Sequence, residues 1–537
     1  MVKKFLLAKS SIAAALVLCL IPVQAHAAGP QLPSCGKYTV SKNQIIAGQE
    51  LPKGKYQINA NGISCSKILG SNGLFKKFLK LKNQDPLPKP WKFISGAAGT
   101  SKFSAGPGVG FTVDLISSLG KSEPTSAWAG TKQLGTANQI TFGNAVATDS
   151  RGNVYVTGST KGGLDGNSLT GIYDFYLTKY NSDGVKLYTK QLGVADSDTV
   201  ATAVTTDAND NVYISGYTTG GLFGNTKQTD STHEVFITKY DKNGVKQFTR
   251  QLGVDGEKKV GIGLAIDPYG NFFVAGYTTG ALDGYSMTGT VDSFFSKYNS
   301  DGVKQFTRLL GVADKETRGY GVATDAKGNV FVAGYTEGSL DGNTLSGSKD
   351  FFVAKYDNSG VKQFTRQLGA VGAVTVGTAV TTDDKGNVYT VGYTEGSLDG
   401  NARTGSRDSF VTKYDSSGVK QFTRQMGAVG AITAGNEVAT DSIGDVCVAG
   451  STNGGLDGNT LNGLHDFFVT KYSPRGVKLF TRQLGVAGRE TYGNGVATDL
   501  IGDVFVAGST NGGLDGNTQT GAYDFFVTKF APNGVKK

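Results

Sequence analysis

The sequence predicts an all-β protein: a seven-bladed β-propeller of four-stranded blades, closed by an N-terminal strand and preceded by a small β-rich domain. Three observations support this prediction. Glycine is about twice as common as usual, at 78 of 537 residues, and aromatic residues are regularly spaced, which indicates many short strands joined by turns. One long segment recurs seven times. Each copy contains four strand candidates, as one propeller blade requires.

Residues 1–27 have the pattern of a secretory signal peptide. Three lysines, at positions 3, 4 and 9, precede the apolar run Ile12–Ile21, and Ala25 and Ala27 form a small-x-small cleavage site. The run is too short to cross a membrane, and no later segment is long enough. The sequence therefore predicts an exported chain that is secreted, periplasmic or on the cell surface, without a transmembrane segment.

The net charge argues against a nucleic-acid partner. The whole chain carries a formal charge of +9, and removing the three lysines of the signal leaves +6, scattered along the sequence. A nucleic-acid-binding domain concentrates basic residues on one face or along one helix. No cofactor motif is present, and the propeller is expected to be monomeric.

Residues 28–120 form a predicted β-rich accessory domain that does not repeat. Cys35 and Cys65 lie in this module, and an exported chain can form disulfides, so they are the predicted pair. The third cysteine after the signal, Cys447, aligns with aromatic residues of the other repeats and is expected to fill a core position. Residues 121–125 are the predicted linker.

Two shorter segments of this domain also carry predictions. Gly73–Leu81 is compatible with an amphipathic helix that turns Phe75, Phe78 and Leu79 inward. Gly96–Gly110 is rich in glycine and serine, which favours a loop.

The propeller is predicted to cover residues 126–537. A glycine that ends a Gln-Leu-Gly-like tripeptide marks each repeat, and these glycines are 58, 60, 58, 58, 58 and 58 residues apart. They are Gly135, Gly193, Gly253, Gly311, Gly369, Gly427 and Gly485. Such a period is typical of a propeller or another repeat array.

The copy Gly319–Gly369 shows the four strands most clearly. They are predicted at Gly321–Asp325, Asn329–Thr336, Asp350–Asp357 and Val361–Leu368. The first has small side chains, the second and third are apolar on both faces, and the fourth is polar and basic. This gradient matches a blade that runs from a crowded axis to an outer edge.

The ends of the propeller predict how the ring closes. The chain stops where the fourth strand of the seventh blade should begin. At the other end, Ser126–Gly135 precedes the first repeat, and its second half, Thr-Lys-Gln-Leu-Gly, resembles a fourth strand. The N-terminal strand is therefore expected to complete the last blade. An open solenoid would not need this arrangement.

The second strand (GNVYVAGYT-like), the LDGN loop and the third strand (DFFVTKYD-like) together resemble the bacterial β-propeller repeat family known as SBBP. The resemblance covers about residues 126–537. It implies an exported seven-bladed propeller whose biochemical role is largely unassigned, and it supplies no catalytic residues.

Alternating strand directions place the links between strands on two faces. Links one-to-two and three-to-four are short and share one face, while links two-to-three and blade-to-blade are long and share the other. We call these the short-link face and the long-link face. Binding usually resides in long loops on a rigid scaffold, so the long-link face is the predicted functional face.

The LDGN loops carry aspartates that are weak calcium candidates. They are Asp165, Asp283, Asp341, Asp399, Asp457 and Asp515, and another aspartate begins the third strand of the same blades. Calcium needs about 6–8 oxygen ligands, more than one loop supplies. The alternative is structural: Asp-Gly forms a turn with positive φ, and the later aspartate caps backbone amides.

Two irregularities interrupt the repeat. In the second unit Phe223 replaces the loop aspartate and Glu234 replaces the strand aspartate, which indicates either a dedicated site or sequence drift.

The links Ala370–Val376 and Ala428–Ala434 carry no charge, unlike their counterparts. They predict an apolar patch, either a docking surface for a partner or for the N-terminal domain, or tight packing into the blades. The patch candidates are Val371, Val374, Val376, Val429 and Ile432.

Three functions remain open from the sequence. The first is a binding or scaffold module that contacts a protein or a surface glycan through the long-link face. The second is a lyase or glycosidase with a carboxylate site in the channel, although His233 and His465 are the only histidines after the signal and no catalytic constellation is visible. The third is a structural protein of the cell envelope.

Overall fold

The computed structural model describes residues 34–40, 44–46, 49–51, 54–81, 87–95, 101–106, 109–118, 128–227, 232–253 and 259–537. The predicted signal peptide at 1–27 and linker at 121–125 lie outside these ranges and stay predictions. Within the described ranges, no helix is long and apolar enough to cross a membrane.

The N-terminal domain is an antiparallel sheet with two short helices. Its elements are β1 (Ser34–Val40), β2 (Gln44–Ile46), β3 (Gln49–Leu51), β4 (Gly54–Asn61), α1 (Cys65–Leu69), α2 (Leu74–Phe78), β5 (Lys92–Ser95), β6 (Ser101–Gly106) and β7 (Val109–Ser118). Five strands pair in the order β1-β4-β7-β6-β5, and β2 pairs with β3. The predicted disulfide between Cys35 and Cys65 is confirmed and ties β1 to the start of α1.

The helix and loop predictions in this domain need correction. The helix α2 is shorter than predicted, although Phe75 and Phe78 are buried as expected, and α1 was not predicted. The loop prediction for Gly96–Gly110 is wrong, because this segment contains β6 and the start of β7. Phe103 and Phe111 explain the difference: both are fully buried, and their rings stack with centroids 5.0 Å apart. These two rings give the glycine-rich segment a core to pack in.

Seven four-stranded antiparallel sheets follow, and each is one blade. The first strands, which pack against one another around the channel, are β9 (Thr141–Thr148), β13 (Thr199–Thr206), β17 (Lys259–Ile266), β21 (Thr317–Thr324), β25 (Thr375–Thr382), β29 (Thr433–Thr440) and β33 (Thr491–Thr498). The second strands are β10 (Val154–Thr160), β14 (Val212–Thr218), β18 (Phe272–Thr278), β22 (Val330–Thr336), β26 (Val388–Thr394), β30 (Val446–Thr452) and β34 (Val504–Thr510).

The outer half of each blade is equally regular. The third strands are β11 (Asp174–Tyr180), β15 (Glu234–Tyr240), β19 (Asp292–Tyr298), β23 (Asp350–Tyr356), β27 (Asp408–Tyr414), β31 (Asp466–Tyr472) and β35 (Asp524–Phe530). The fourth strands are β12 (Lys186–Leu192), β16 (Lys246–Leu252), β20 (Lys304–Leu310), β24 (Lys362–Leu368), β28 (Lys420–Met426), β32 (Lys478–Leu484) and, for blade 7, β8 (Lys132–Leu134). The predicted seven-bladed propeller is confirmed.

The first strands begin earlier than the sequence indicates. In blade 4, β21 starts at Thr317 rather than Gly321, because Thr317 pairs with Thr336 across the blade. The register shifts between Gly319 and Gly321, so one residue bulges there. The bulge breaks the two-residue alternation from which a strand is recognised in a sequence.

The ring closes as predicted. In blade 7, β8 pairs with β35 through Leu134 opposite Phe525 and Lys132 opposite Val527. The backbone amide of Gly130 also donates to the carbonyl oxygen of Lys537, 3.0 Å away. The two ends of the propeller are therefore joined within a single blade.

Buried aromatic residues and lysines hold neighbouring blades together. In blade 4, Lys355 lies 5.2 Å from the centroid of the Phe331 ring and donates to the carbonyl oxygen of Ser416 in blade 5, 2.7 Å away. Third-strand lysines of five further blades make the same bond across their junctions. Cys447 occupies the Phe331 position in blade 6 and is fully buried, as predicted.

Candidate functional site

The strand order places the short links and the long links on opposite faces of the propeller, as predicted. In each blade the chain enters the first strand from a long link and leaves the second strand into another long link. The start of the first strand, the end of the second and the residue before the third therefore meet near the channel on the long-link face. We call this region the channel mouth.

The LDGN loops form the predicted turns. All six aspartates have positive φ, from 48° to 57°. Each carboxylate also forms an ion pair with a lysine. Five of these lysines begin a fourth strand, and the sixth, Lys536, lies at the corresponding position after β35. The lysines are Lys186, Lys304, Lys362, Lys420, Lys478 and Lys536. Burial alone would raise the pKa of Asp165, but the hydrogen bonds from Lys186 and Thr189 outweigh it, so the pKa lies below its ordinary value.

The aspartate that begins the third strand caps backbone amides, as predicted. In blade 4, Asp350 accepts hydrogen bonds from the amides of Ser346 and Gly347, both 2.8 Å away, and from the side chain of Gln367 at 3.1 Å. Among the described residues, no three His, Cys, Asp or Glu side chains gather as a metal-ligand set. Calcium binding in the loops therefore stays a hypothesis.

Blade 2 replaces the loop ion pair with an aromatic contact. Phe223 keeps a φ of 55°, a conformation that a bulky residue rarely adopts. The ammonium nitrogen of Lys246 lies 2.9 Å from the centroid of its ring. Burial lowers the pKa of Lys246. Glu234 is buried and accepts a hydrogen bond from Gln251, as Asp350 does from Gln367 in blade 4.

The uncharged links divide into exposed and buried residues. Val371 and Val429 lie at the tips of two neighbouring blade-to-blade turns and are 92% and 91% exposed, and Ile432 is 41% exposed. Val374 is half-buried. The prediction is wrong for Val376, which is 4% exposed because it belongs to β25 and faces Tyr393 of the adjacent strand. The apolar surface consists of the two tips and Ile432.

Every blade contributes an aromatic or imidazole ring to the channel mouth. These mouth rings are Phe142, Tyr173, Tyr217, His233, Tyr277, Tyr320, Tyr335, Tyr393, His465, Tyr492 and Tyr523. Tyr277 and Tyr335 are buried, and the other nine are partly exposed. Several touch across blade junctions: the centroid distance is 6.5 Å from Tyr277 to Tyr320 and 5.5 Å from Phe142 to Tyr523.

A ring of hydrogen bonds that lines the channel is interrupted at blades 3 and 4. In blades 1, 2, 5, 6 and 7 an asparagine or threonine at one position of the first strand donates to a carbonyl of the next blade, as Asn436 does to Gly493 at 2.9 Å. Blades 3 and 4 carry Ile262 and Tyr320 instead. The channel wall is therefore most aromatic beside blade 4.

In the part of the chain that the structure describes, three cations lie over mouth rings and also form ion pairs with glutamates. Arg318 lies over Tyr277 and pairs with Glu316 at 3.2 Å. Lys349 lies over Tyr335 and pairs with Glu337 at 3.0 Å. The third group consists of Arg407, Tyr393 and Glu395, and its ion pair measures 2.7 Å. We call these the three Tyr–cation–Glu groups.

The first of these groups is also joined by a tyrosine hydroxyl. Tyr335 donates to the second carboxylate oxygen of Glu316, 3.0 Å away. Burial opposes the charged carboxylate, but Arg318 outweighs this effect and holds the pKa of Glu316 below its ordinary value. Glu316 therefore remains ionised at neutral pH.

A histidine and a tyrosine meet on the other side of the mouth. Nδ1 of His465 lies 3.4 Å from the hydroxyl of Tyr492, and their ring centroids are 5.2 Å apart. Burial lowers the pKa of His465, against the opposing charge of Glu490. Glu490 also accepts a hydrogen bond from Tyr523.

Sequence reasoning missed the mouth rings, although a signal was present. The second strands end in Gly-Tyr-Thr in blades 2 to 5 and in Gly-Ser-Thr in blades 1, 6 and 7. The difference matters only once the fold brings these strand ends together around the channel.

Two solved structures are similar to the chain over 76% of its length. The chain is similar to a PL25 ulvan lyase bound to a saccharide, with 10% identity, a TM-score of 0.44, and coverage of 76% of this chain and 98% of that one. It is also similar to the β-propeller domain of the Trilobed protease from Pyrococcus furiosus, with 9% identity, a TM-score of 0.38, and coverage of 76% and 95%.

Among curated proteins, the chain is 27% identical over 188 residues to the regulatory protein FlaEY of Caulobacter vibrioides. The match covers 32% of this chain and 20% of that protein, so it spans a minor part of the relative's length.

The family comparison covers the repeats directly. The SBBP model, described as a beta-propeller repeat, matches seven segments, one for each repeat. They are residues 130–165, 187–224, 247–282, 305–341, 363–399, 421–457 and 479–515. With the seven blades and their closing strand, these matches show that the chain belongs to the SBBP family of β-propeller repeat proteins.

Proposed function

We propose that this chain is an exported binding module that holds a glycan at the channel mouth of its long-link face. The observation that carries the proposal is the set of mouth rings: every blade supplies at least one ring, and nine of the eleven are partly exposed. Aromatic faces pack against the apolar faces of sugar rings, and binding sites combine such surfaces with a few polar groups that fix orientation.

The surrounding polar groups match hydroxyl-rich ligands. Arg318, Lys349 and Arg407 donate hydrogen bonds, and the carboxylates beside them accept, while sugar hydroxyls can do both. The rest of the propeller supports the mouth as a rigid scaffold, because its junction contacts repeat from blade to blade.

Affinity gel electrophoresis tests this proposal. The full chain should migrate more slowly in native gels that contain a soluble polysaccharide than in gels without one, and added soluble oligosaccharide should restore its mobility. A panel of dextran, galactomannan, xyloglucan, alginate and polygalacturonate covers neutral and acidic polymers. Unchanged mobility with every polymer would contradict the proposal.

One contact favours a second candidate, a polysaccharide-cleaving enzyme. The hydroxyl of Tyr492 lies 3.4 Å from Nδ1 of His465, and Glu490 lies beside the histidine; these residue types serve as general acids and bases in catalysis. Incubation of the polymer panel with the chain, followed by assays for new reducing ends and new carbon–carbon double bonds, tests this function. Products formed equally by His465→Ala would exclude His465 from any such reaction.

A further inference from the structure

We infer that the glycan is uncharged and that blades 4 and 5 supply its polar contacts through the three Tyr–cation–Glu groups. This inference rests on the proposed function and specifies its ligand. It depends on how the charges at the mouth are already paired, and on how much of each pair remains open to solvent.

Each cation is already neutralised by its own carboxylate. The three pairs join Arg318 to Glu316, Lys349 to Glu337 and Arg407 to Glu395, at 3.2, 3.0 and 2.7 Å. Three cations thus face three carboxylates within one sector. An anionic sugar would have to displace a carboxylate from its cation or come close to that carboxylate, and both cost free energy.

Tyrosine rings fix the cations in place. Arg318, Lys349 and Arg407 lie 4.7, 4.2 and 4.1 Å from the centroids of the tyrosines beneath them. Cation–π attraction adds to each ion pair and limits the freedom of the side chain. The groups are therefore preorganised, so a ligand meets them without a large ordering cost.

The pairs remain accessible on their outer side. The side chains of the three cations are each 29% exposed, and those of Glu316, Glu337 and Glu395 are 30%, 33% and 37% exposed. Carboxylate oxygens can accept from one sugar hydroxyl while a neighbouring N–H donates to the next, so a neutral diol matches a pair without changing its charge.

One further cation lies near the third group. Arg403 donates to the backbone carbonyl oxygen of Glu395, 2.6 Å away, and so adds a positive charge beside that pair. Arg403 adds one positive charge to three neutral pairs, and the contact ties it to the backbone.

Gel retardation of the full chain with neutral and acidic polymers tests this inference. We expect retardation with dextran, galactomannan or xyloglucan, with an apparent Kd at least about tenfold lower than with alginate or polygalacturonate. Retardation by the neutral polymer should persist at about 0.5 M NaCl, because screening weakens ionic but not neutral contacts.

A charge-altering variant makes the test sharper. Glu337→Gln combined with Glu395→Gln leaves Lys349 and Arg407 without carboxylates, so the double variant should lose neutral binding about tenfold and gain salt-sensitive binding of the acidic polymers. Asp196→Asn, an exposed change on the same face in the link between blades 1 and 2, is the matched control and should bind as the parent does.

The outcomes separate the inference from the proposed function. Tight, salt-sensitive binding of acidic polymers by the unaltered chain would overturn the inference while leaving a glycan-binding function. Neutral binding that the double variant retains in full would exclude the three groups as its polar contacts. No binding of either polymer class would contradict the proposed function itself.

Discussion

Trp128 lies against Gly184 in the junction between blades 7 and 1, where it replaces a smaller aromatic ring. In the other six junctions, the fourth strand presents a phenylalanine or tyrosine to the equivalent glycine of the next blade. These rings belong to Tyr188, Phe248, Phe306, Phe364, Phe422 and Phe480. Trp128 is 2% exposed and packs on Phe505 and Tyr180, so it joins the last blade to the first.

Trp128→Ala should destabilise the ring. Truncating a buried tryptophan leaves a cavity and costs roughly 3–5 kcal/mol of unfolding free energy. At this junction the closing strand β8 has only three residues, against seven in the other fourth strands, so the closing segment contributes fewer contacts besides Trp128. The midpoint of thermal unfolding should fall by several degrees and by more than in Phe422→Ala, an internal junction. An unchanged midpoint would show that the seam does not depend on Trp128.

The stability of blade 7 should depend on pH through Asp499. Burial, together with the charge of Asp503, raises the pKa of Asp499 from 3.8 to about 6. Because folding raises this pKa, the contribution to stability is fully present below pH 3.8 and is lost as the pH rises through about 6. The free energy of unfolding should therefore fall as the pH rises from about 4 to about 6.

Asp503→Asn tests the cause of this pH dependence. Blades 1 to 5 carry asparagine at this position, and Lys529 retains Asp499 as a partner at 3.7 Å. Without the second carboxylate, the pKa of Asp499 should fall and the urea midpoint should change less between the two pH values. If the parent and the variant respond to pH identically, Asp499 is not the responsible group.

Lys246 should react with acylating reagents faster than its six counterparts. Its counterparts pair with loop aspartates, whereas Lys246 lies over Phe223. An exposed ion pair contributes under about 1 kcal/mol, so we expect a rate about threefold higher. Trace labelling with acetic anhydride at neutral pH, followed by peptide mass spectrometry, measures all seven lysines in one sample.

Exchanging the loop residues provides the matched controls for this labelling. Phe223→Asp should return Lys246 to the reactivity of its counterparts, and Asp341→Phe should raise that of Lys362. Equal labelling of all seven lysines in the unaltered chain would contradict the expectation.

Calcium should leave the thermal stability unchanged. The loop aspartates are engaged by lysines, as Asp341 is by Lys362, and Thr365 also donates to Asp341. After treatment with EGTA, adding about 5 mM calcium should not shift the unfolding midpoint, since each loop supplies fewer oxygens than calcium requires. A rise in the midpoint that Asp341→Asn diminishes would support metal binding instead.

The fold was largely predictable because the same sequence features recur in every blade. The strands recur in all seven blades and the Asp-Gly turns of the LDGN loops in six of them, so variation at one position does not hide the pattern. The N-terminal domain offers no such redundancy. There the glycine and serine around Phe103 indicated a loop, and only the packing of Phe103 on Phe111 shows why the segment is a strand.

The candidate site was predictable in its face but not in its residues. Link lengths identified the long-link face, and the uncharged links identified Val371 and Val429 as exposed tips. The three Tyr–cation–Glu groups escaped notice because their members come from different strands and sometimes different blades, as Tyr277 and Arg318 do. Sequence spacing does not show which residues of neighbouring blades meet at the channel.

A titration that compares Tyr393→Ala with Tyr269→Ala tests most directly whether the channel mouth binds a glycan. Tyr393 is a partly exposed mouth ring, whereas Tyr269 is 65% exposed on the short-link face. With the polymer that best retards the unaltered chain, Tyr393→Ala should weaken binding by about tenfold, because it removes the ring that holds Arg407 in place. Tyr269→Ala should leave binding unchanged. Equal binding by both variants, or a loss confined to Tyr269→Ala, would contradict a binding site at the channel mouth.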